Sequence, residues 1–301
     1  MIKNIEKKQK ALKKPNEWEL TFFDDFEFFD TKKWEFDIGP RRGCYNVDDK
    51  DIVFTKDSNL VIRTKWKNGR FGEGWYTGFV DTSTNGRQVR ERFLKTDDYE
   101  GFSQQNGYFE VRCKVPKILG AWSAFWLMPD NDIAFTKDDV QNSGEDGVEI
   151  DVMESFHLFH LTKRGKNQNI HVIHADGYDE RLKTICSSPY YVPNMYDEFH
   201  TYGVLWEKDK YTFYVDGYKT WETEHIYKGH NMGISKVPEY LLLSCEVGGI
   251  ILNGKTIVGK EKDEKTGEIK TFWAGDVEKN DKSKNYDFLV DYVKVYKKKE
   301  F

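Results

Sequence analysis

Short apolar and aromatic runs alternate along the chain with turns rich in Gly, Asn, Asp and Lys, beginning at Trp18. In residues 107–115 the odd positions from Phe109 to Val115 are apolar, and the even positions between them are charged. Side chains of a β-strand alternate between two faces, so this spacing predicts a strand with one buried face. Asp216-Gly217, set between two further runs of this kind, predicts the tight turn of a β-hairpin.

The same texture continues to residue 297, with neither a long helical stripe nor a repeat of fixed length. Many short strands separated by turns are typical of an antiparallel β-sandwich rather than of alternating strands and helices. We therefore predict an all-β fold in which residues 16–301 form a single domain. Residues 1–15, which are largely basic and polar, are predicted to be an appendage to it.

Composition narrows the class of partner. Aromatic residues make up 16% of the chain, and their large flat faces can fill a core or stack on sugar rings. The net charge of −5 argues against a nucleic-acid partner, which would require a basic face. None of the four cysteines lies in a CxxC pair, which argues against a zinc ribbon. An even count permits disulfides, but a chain of this size does not need them, so reduced thiols are expected.

The sequence carries no apolar run long enough to cross a membrane, so we expect no membrane partner. The first residues lack the apolar segment of a signal peptide. We therefore expect a cytoplasmic protein, or a secreted one whose export signal is missing from the sequence.

Three acidic residues share one apolar run, GVEIDVMESF, in which Glu149, Asp151 and Glu154 are separated by gaps of two and then three. Neither a strand nor a helix brings all three to one face at this spacing. A β-bulge places two residues where one is expected, so a bulge at Val152–Met153 would turn all three acids the same way. We predict this bulge and a cleft lined by the three carboxylates; the alternative is a structural cluster of acids facing solvent.

Such a cleft has a definite chemistry. Two outer glutamates that lean together to about 5 Å have the separation that retaining glycosidases use. One would attack the anomeric carbon, and the other would protonate the leaving oxygen and then activate a water molecule. Asp151, between them, would share a proton with the nucleophile and tune its charge.

The run EIDVME resembles the E-x-D-x-x-E signature of glycoside hydrolase family 16, in the bulged form typical of its laminarinases and agarases. Flanking segments agree with that family in the same order along the chain. Residues 18–34 resemble its opening strand, and residues 106–129 resemble the strands before its active site. Residues 199–217 and 287–296 resemble later strands and the closing strand.

The resemblance implies a β-jelly-roll of two curved antiparallel sheets with a concave substrate cleft. It implies Glu149 as nucleophile, Asp151 as assisting carboxylate and Glu154 as acid/base, with no cofactor for catalysis. The expected substrate is a polysaccharide, in the first place a β-1,3- or mixed-linkage β-1,3/1,4-glucan. The alternatives are a β-galactan, such as agar, porphyran or a galactose-containing host glycan, and a non-catalytic carbohydrate-binding sandwich.

Aromatic and histidine side chains near the acids are candidate sugar contacts. Trp122 and Trp126 share one face of their strand, where they could form a stacking platform or fill the core. His171 and His174 are three residues apart, which places them on opposite faces of a strand and argues against a shared zinc ion. We predict that His174 faces the cleft, since the family often carries a histidine on this strand; the alternative is a hydrogen-bonded histidine in the core.

Several predictions concern the periphery of the cleft. Glu246 departs from the small apolar residue usual in laminarinase-like sequences, and we predict that it binds a polar sugar group. Candidates for distant subsites are Arg70, Trp75 and Trp273. The family often carries a structural calcium, for which Glu27 and Asp291 are candidate ligands. The long polar segments 129–147 and 250–276 are predicted to be functional or mobile loops.

Overall fold

A computed structural model describes residues 15–41, 43–84, 98–131, 133–136, 138–156, 168–248 and 280–299, together with the backbone of four short strands between residues 250 and 271. Residues 1–14 and most of the predicted loop 250–276 lie outside the described part of the chain.

The described residues form 26 strands, preceded by a 3₁₀ turn at Pro15–Glu17. The first thirteen are β1 (Trp18–Asp24), β2 (Glu35–Phe36), β3 (Gly39–Arg41), β4 (Cys44–Asn46), β5 (Val53–Thr55), β6 (Leu60–Gly69), β7 (Gly72–Thr77), β8 (Phe79–Asp81), β9 (Ser103–Gln104), β10 (Gly107–Lys114), β11 (Ala121–Pro129), β12 (Glu149–Phe156) and β13 (Gln168–Ala175). The others are β14 (Lys183–Cys186), β15 (Tyr190–Tyr191), β16 (His200–Trp206), β17 (Tyr211–Val215), β18 (Tyr218–Thr223), β19 (Ile226–Tyr227), β20 (His230–Asn231), β21 (Glu239–Val247), β22 (Ile250–Leu252), β23 (Lys255–Ile257), β24 (Lys260–Lys262), β25 (Ile269–Thr271) and β26 (Asn285–Lys298).

Two large sheets hold most of these strands. The eleven-stranded sheet runs in the order β18-β17-β16-β10-β26-β6-β7-β4-β3, with β1 beside β26 and β5 beside β6. The nine-stranded sheet runs β14-β13-β12-β11-β21-β8-β2, with β15 beside β13 and β9 beside β21. Pairing is antiparallel except between β4 and β7. Three separate hairpins pair β19 with β20, β22 with β23, and β24 with β25.

One hydrophobic cluster lies between the two sheets and includes residues from Phe22 in β1 to Val295 in β26. The odd positions of β10, among them Phe109 and Val111, point into it as their alternation predicts. The predicted all-β fold, a β-jelly-roll sandwich, is therefore confirmed. The four cysteines are free. None of the described residues forms a helix long and apolar enough to span a membrane.

The hairpin predicted at Asp216-Gly217 is present between β17 and β18. Asp216 has a φ of 50° and Gly217 a φ of 75°. Two successive residues in the left-handed region match the turn whose twist suits a two-residue hairpin, and Asp-Gly adopts it at low cost.

The bulge predicted in the acidic strand is also present. On β13, Val172 pairs with Asp151 and Ile170 pairs with Glu154, so the Val152–Met153 step opposes a single residue. The register between β12 and β11 shifts at the same place. The extra residue resets the alternation of β12, and the strand therefore carries its acids on one face.

Candidate active site

A pocket opens on the face of the nine-stranded sheet that points away from the shared core. It is lined by side chains of β12, its neighbour β11 and the next strand β21, with one residue from β3. Its lining residues are Arg41, Trp122, Ala124, Trp126, Glu149, Asp151, Glu154, Ser244 and Glu246. Because neighbouring strands are about 4.8 Å apart, a pocket that crosses three of them extends about 10 Å across the sheet.

All three predicted carboxylates line this pocket. Glu149 is 9% exposed, Asp151 is 2% exposed and Glu154 is 4% exposed. Glu149, Asp151 and His174 each contribute an oxygen or nitrogen atom to a group that lies within 4.8 Å of one another. The Nε2 atom of His174 lies 3.6 Å from Oδ2 of Asp151. Glu149 and Asp151 are thus close enough to exchange protons, and the bulge adds Glu154 to the same pocket.

The same three groups, Glu149, Asp151 and His174, are the only set of this kind among the described residues that could contact a metal ion together. Crowded carboxylates beside a histidine also suit proton sharing, and acidic clusters of this type occur without metal.

The two tryptophans have different environments. Trp122 is half-buried, and its indole Nε1 donates a hydrogen bond of 2.7 Å to Oε1 of Glu154. Trp126 is more deeply buried, donates from Nε1 to Ser244 Oγ at 3.2 Å, and stacks on Phe79 with the ring centroids 5.7 Å apart. Both line the pocket, but Trp122 has the more accessible ring and also orients one of the acids.

Glu246 faces the pocket from β21, directly across from Trp122 on β11. Its carboxylate forms an ion pair with the guanidinium of Arg41, which also lies 5.2 Å above the ring of Phe79. Sequence analysis did not identify Arg41. Its partner is 205 positions away, and a single arginine in a two-residue basic run carries no signal of such a contact.

Tyr178 is a second residue that the sequence did not reveal. Its hydroxyl donates to Oε2 of Glu149, and its ring packs on Phe135 with the centroids 4.7 Å apart. The loop reaches the pocket because Asp176 and Gly177 both have positive φ, 63° and 82°, and turn the chain back after β13. An Asp-Gly pair predicts a turn but not what the turn will touch.

The two histidines lie on opposite faces of β13. His174 pairs with Glu149 across the strands and lies on the pocket face, where its Nδ1 is 2.7 Å from Thr184 Oγ1. His171 is fully buried on the core face. His174 thus lies beside the carboxylates without lining the pocket itself, and its contact with a sugar stays a prediction.

The peripheral candidates do not gather at the pocket. Trp75 is 2% exposed and packs edge-on against Trp66 in a separate apolar cluster, which leaves no ring face for a sugar. Arg70 is exposed and pairs with Asp48 and Asp49. Trp273 lies outside the described residues.

The predicted calcium ligands are in different situations. Glu27 is exposed, beyond the end of β1. The carboxylate of Asp291 on β26 forms an ion pair with Arg112 on the neighbouring strand. A calcium ion bound to Asp291 would compete with that guanidinium, so the side-chain geometry does not favour the site, and calcium stays a prediction of the family resemblance.

Comparison with known proteins identifies the family. The family model of glycosyl hydrolases family 16 matches residues 94–275, which is more than half of the chain. A β-glucanase of Rhodothermus marinus is 26% identical over 209 residues, covering 66% of this chain and 63% of the relative. Two endo-1,3-1,4-β-glycanases of Rhizobium meliloti match at 28% identity, and the chain spans 30% of their length.

Solved structures share the fold. SCLam, a non-specific endo-β-1,3(4)-glucanase, superposes with a TM-score of 0.66 at 23% identity over 97% of this chain and 96% of that one. A structure from work on endo-acting O-glycanases of human gut bacteria that initiate mucin breakdown has a TM-score of 0.64 at 21% identity, over 95% and 93%. At this identity the likeness concerns the architecture.

Proposed function

Because the chain belongs to glycosyl hydrolases family 16, we propose that it is a retaining endo-β-glycosidase that hydrolyses a polysaccharide. The observation that carries the proposal is the bulge in β12, which presents Glu149, Asp151 and Glu154 to one pocket. A pocket about 10 Å across spans about two sugar rings, one on each side of a bond to be cleaved.

The reaction would take place in two displacements. In the first, the carboxylate of Glu149 attacks the anomeric carbon while the glycosidic bond breaks, and Glu154 gives its proton to the departing oxygen. The product is a glycosyl ester on Glu149. In the second, Glu154 takes a proton from water, the hydroxide oxygen attacks the same carbon, and the ester bond breaks to restore Glu149.

Neighbouring groups would prepare the carboxylates for these roles. The phenol of Tyr178 donates to Glu149, and a hydrogen bond to a carboxylate favours its ionised, nucleophilic form. The indole of Trp122 holds Oε1 of Glu154 at 2.7 Å and fixes its orientation. Asp151 and His174 lie beside the nucleophile and exchange protons with it as its charge changes.

The preferred substrate in this proposal is a β-1,3- or mixed-linkage β-1,3/1,4-glucan. The relatives from Rhodothermus marinus and Rhizobium meliloti carry the names β-glucanase and endo-1,3-1,4-β-glycanase. Equatorial hydroxyl groups leave the faces of a β-glucose ring apolar, and the half-buried ring of Trp122 offers a matching surface.

A second candidate substrate is a galactose-containing glycan. The observation in its favour is the Arg41–Glu246 ion pair in the pocket, about two strand spacings from β12. Burying an ion pair costs desolvation free energy, which additional hydrogen bonds to the pair would offset. An axial hydroxyl or a charged substituent, which projects from the ring plane, would give the pair a bound partner.

Two substitutions test the catalytic assignment. Glu149→Gln keeps the shape of the side chain but removes the nucleophilic charge, so hydrolysis should fall by at least about a thousandfold while the thermal unfolding curve is kept. Glu154→Ala should lose most activity on polysaccharide, and its turnover of an aryl glycoside, whose leaving group needs no acid, should be partly rescued by azide, which attacks without needing a base. Substantial turnover by the first variant, or no rescue of the second, would contradict these roles.

Substrate and stereochemistry are settled together. The protein would be incubated with laminarin, lichenan, agarose, porphyran and mucin glycans, and proton NMR would follow the first product formed. Two displacements return the β-configuration. An α-anomer as the first product would overturn the mechanism, and failure to cleave any of the five would leave the non-catalytic carbohydrate-binding sandwich as the better description.

A further inference from the structure

The bulge that defines the pocket leaves one residue without a register partner. On the β11 side, Phe125 pairs with Met153 and Trp126 with Asp151, so Val152 is passed over. On the β13 side neither Val152 nor Met153 is in register with a residue. A bulge interrupts the hydrogen-bond ladder locally, and a buried backbone carbonyl needs a partner from elsewhere.

His171, on the neighbouring strand β13, supplies that partner. Its Nδ1 atom lies 2.7 Å from the carbonyl oxygen of Val152, and the ring is fully buried. A carbonyl can only accept, so Nδ1 carries the proton and Nε2 is the acceptor. The Tyr190 hydroxyl is in contact with Nε2 and is the matching donor, while Thr220 Oγ1 lies 2.8 Å from the same nitrogen.

Burial keeps this arrangement constant. Desolvation lowers the pKa of His171 to about 3, so the ring stays neutral throughout the range in which glycosidases work. The donor at Nδ1 therefore does not change with pH. This separates His171 from His174, whose ring is partly exposed beside the carboxylates.

The ring is also fixed from behind by the opposite sheet. Phe213 on β17 stacks on it with the centroids 4.6 Å apart and the planes 29° apart. Thr220 on β18 contacts it and in turn donates to the Phe213 carbonyl. The bulge of the nine-stranded sheet is thus tied through one imidazole to the edge of the eleven-stranded sheet.

We propose that His171 is a positioning residue, whose Nδ1–H holds the Val152 carbonyl and so fixes the bulge that aims Glu154 into the same pocket as Glu149. It touches no substrate. The inference rests on the proposed function, because it assigns His171 a part in orienting the acid/base. Misplacing a catalytic group by about 1 Å can lower the rate on the order of a hundredfold. A loosened bulge would therefore lower kcat more than it weakens substrate binding.

A matched pair of variants isolates the hydrogen bond. His171→Asn and His171→Leu both remove the ring stacking and share the same branched set of four side-chain heavy atoms, but only the asparagine amide keeps a donor near the position of Nδ1. Both should lose comparable stability in urea unfolding. The leucine variant should fall at least about tenfold below the asparagine variant in kcat, with KM little changed, since the side chains that line the pocket are intact.

The leaving group provides a second readout. A nitrophenyl β-glycoside needs little protonation on departure, so on this substrate the first displacement should be nearly equal in the two variants. The deficit of the leucine variant should appear with laminarin, whose leaving group needs Glu154. Equal kcat of both variants on laminarin, or a deficit of the same size on both substrates, would show that His171 acts only through stability.

Measurement on the unsubstituted protein covers the case in which a variant does not fold. A long-range proton–nitrogen NMR spectrum should show the His171 imidazole as the Nδ1–H tautomer, without titration between about pH 5 and pH 8. The Nε2–H tautomer, or a titrating ring, would refute the contact. This spectrum needs no substrate, so it stays readable if the wild-type protein hydrolyses none of the polysaccharides and the proposed function itself fails.

Discussion

Tyr178→Phe removes one oxygen atom from the candidate active site and leaves the rest in place. The phenol hydroxyl donates to Oε2 of Glu149, and Met128 Sδ is a second neighbour at 3.4 Å. The ring is held by Phe135 rather than by the hydroxyl, with the centroids 4.7 Å apart. The substitution therefore changes the hydrogen bonding of the nucleophile and not the position of the loop.

The size of the effect follows from the contact and its exposure. A hydrogen bond to a charged group contributes about 1.5–3 kcal/mol. Tyr178 is 58% exposed, so water replaces part of the lost bond, and we expect about 1 kcal/mol. This loss favours protonation of the carboxylate, and the acidic limb of kcat/KM should move up by about 0.7 pH unit.

The same hydrogen bond acts again in the second displacement, in which the Glu149 carboxylate is the leaving group. In the second displacement the carboxylate regains its charge, and the phenol stabilises it as it forms. Without the hydroxyl, breakdown of the glycosyl ester should slow about fivefold. On the alkaline side of the acidic limb, the first displacement should change little, because a carboxylate with fewer hydrogen bonds is the stronger nucleophile.

The assay is a profile of kcat/KM against pH, taken with the substrate that the polysaccharide test identifies, together with the nitrophenolate burst of an aryl glycoside. Tyr218→Phe is the control, since Tyr218 is also an exposed tyrosine but belongs to β18 in the other sheet. The Tyr178 variant should show the shifted limb and a larger burst relative to its steady rate. Coincident acidic limbs and unchanged bursts in both variants would refute a role of the phenol at Glu149.

Two further predictions concern stability and metal content. Burial raises the pKa of Glu239 to about 8. The folded protein therefore keeps a proton that the unfolded chain releases above pH 4.5, the ordinary pKa of a glutamate. The contribution of Glu239 to the free energy of unfolding is then full below pH 4.5 and declines towards pH 8 by on the order of 1 kcal/mol per pH unit. Glu239→Gln should flatten this decline, which urea unfolding at pH 5 and pH 8 would measure. Parallel declines in both proteins would contradict the prediction. The family resemblance predicts bound calcium that Asp291→Asn loses, and mass spectrometry that finds no calcium after gentle purification would reject the site.

Much of the acidic strand could be predicted from the sequence because side-chain direction in a strand depends only on position parity. Gaps of two and three between Glu149, Asp151 and Glu154 leave a bulge as the arrangement that gathers all three. The Asp216-Gly217 hairpin follows from local backbone preferences in the same way. Each of these inferences concerns residues that are close together in the chain.

Contacts between distant segments could not be predicted. Arg41 reaches Glu246 because β3 at one edge of one sheet lies near β21 of the other, and nothing in either segment records that meeting. Trp75 failed as a subsite candidate for the same reason. An exposed and a buried tryptophan look alike in sequence, and only the packing of Trp66 against its ring decides between them.

The free energies of burial and hydrogen bonding favour the bulge in β12 over a regular strand. A regular alternation from Asp151 onward would place Met153 in the pocket and turn Glu154 into the core. Burying a charged carboxylate without a partner costs several kcal/mol, and exposing a methionine forfeits about 1.5–3 kcal/mol. The bulge instead buries Val152 and Met153 together, both fully, at the expense of an interrupted ladder, which costs about 1–3 kcal/mol if a carbonyl is left unmet. Since His171 meets that carbonyl, the bulged strand is the more stable register, and the geometry that catalysis needs is also the one that the core selects.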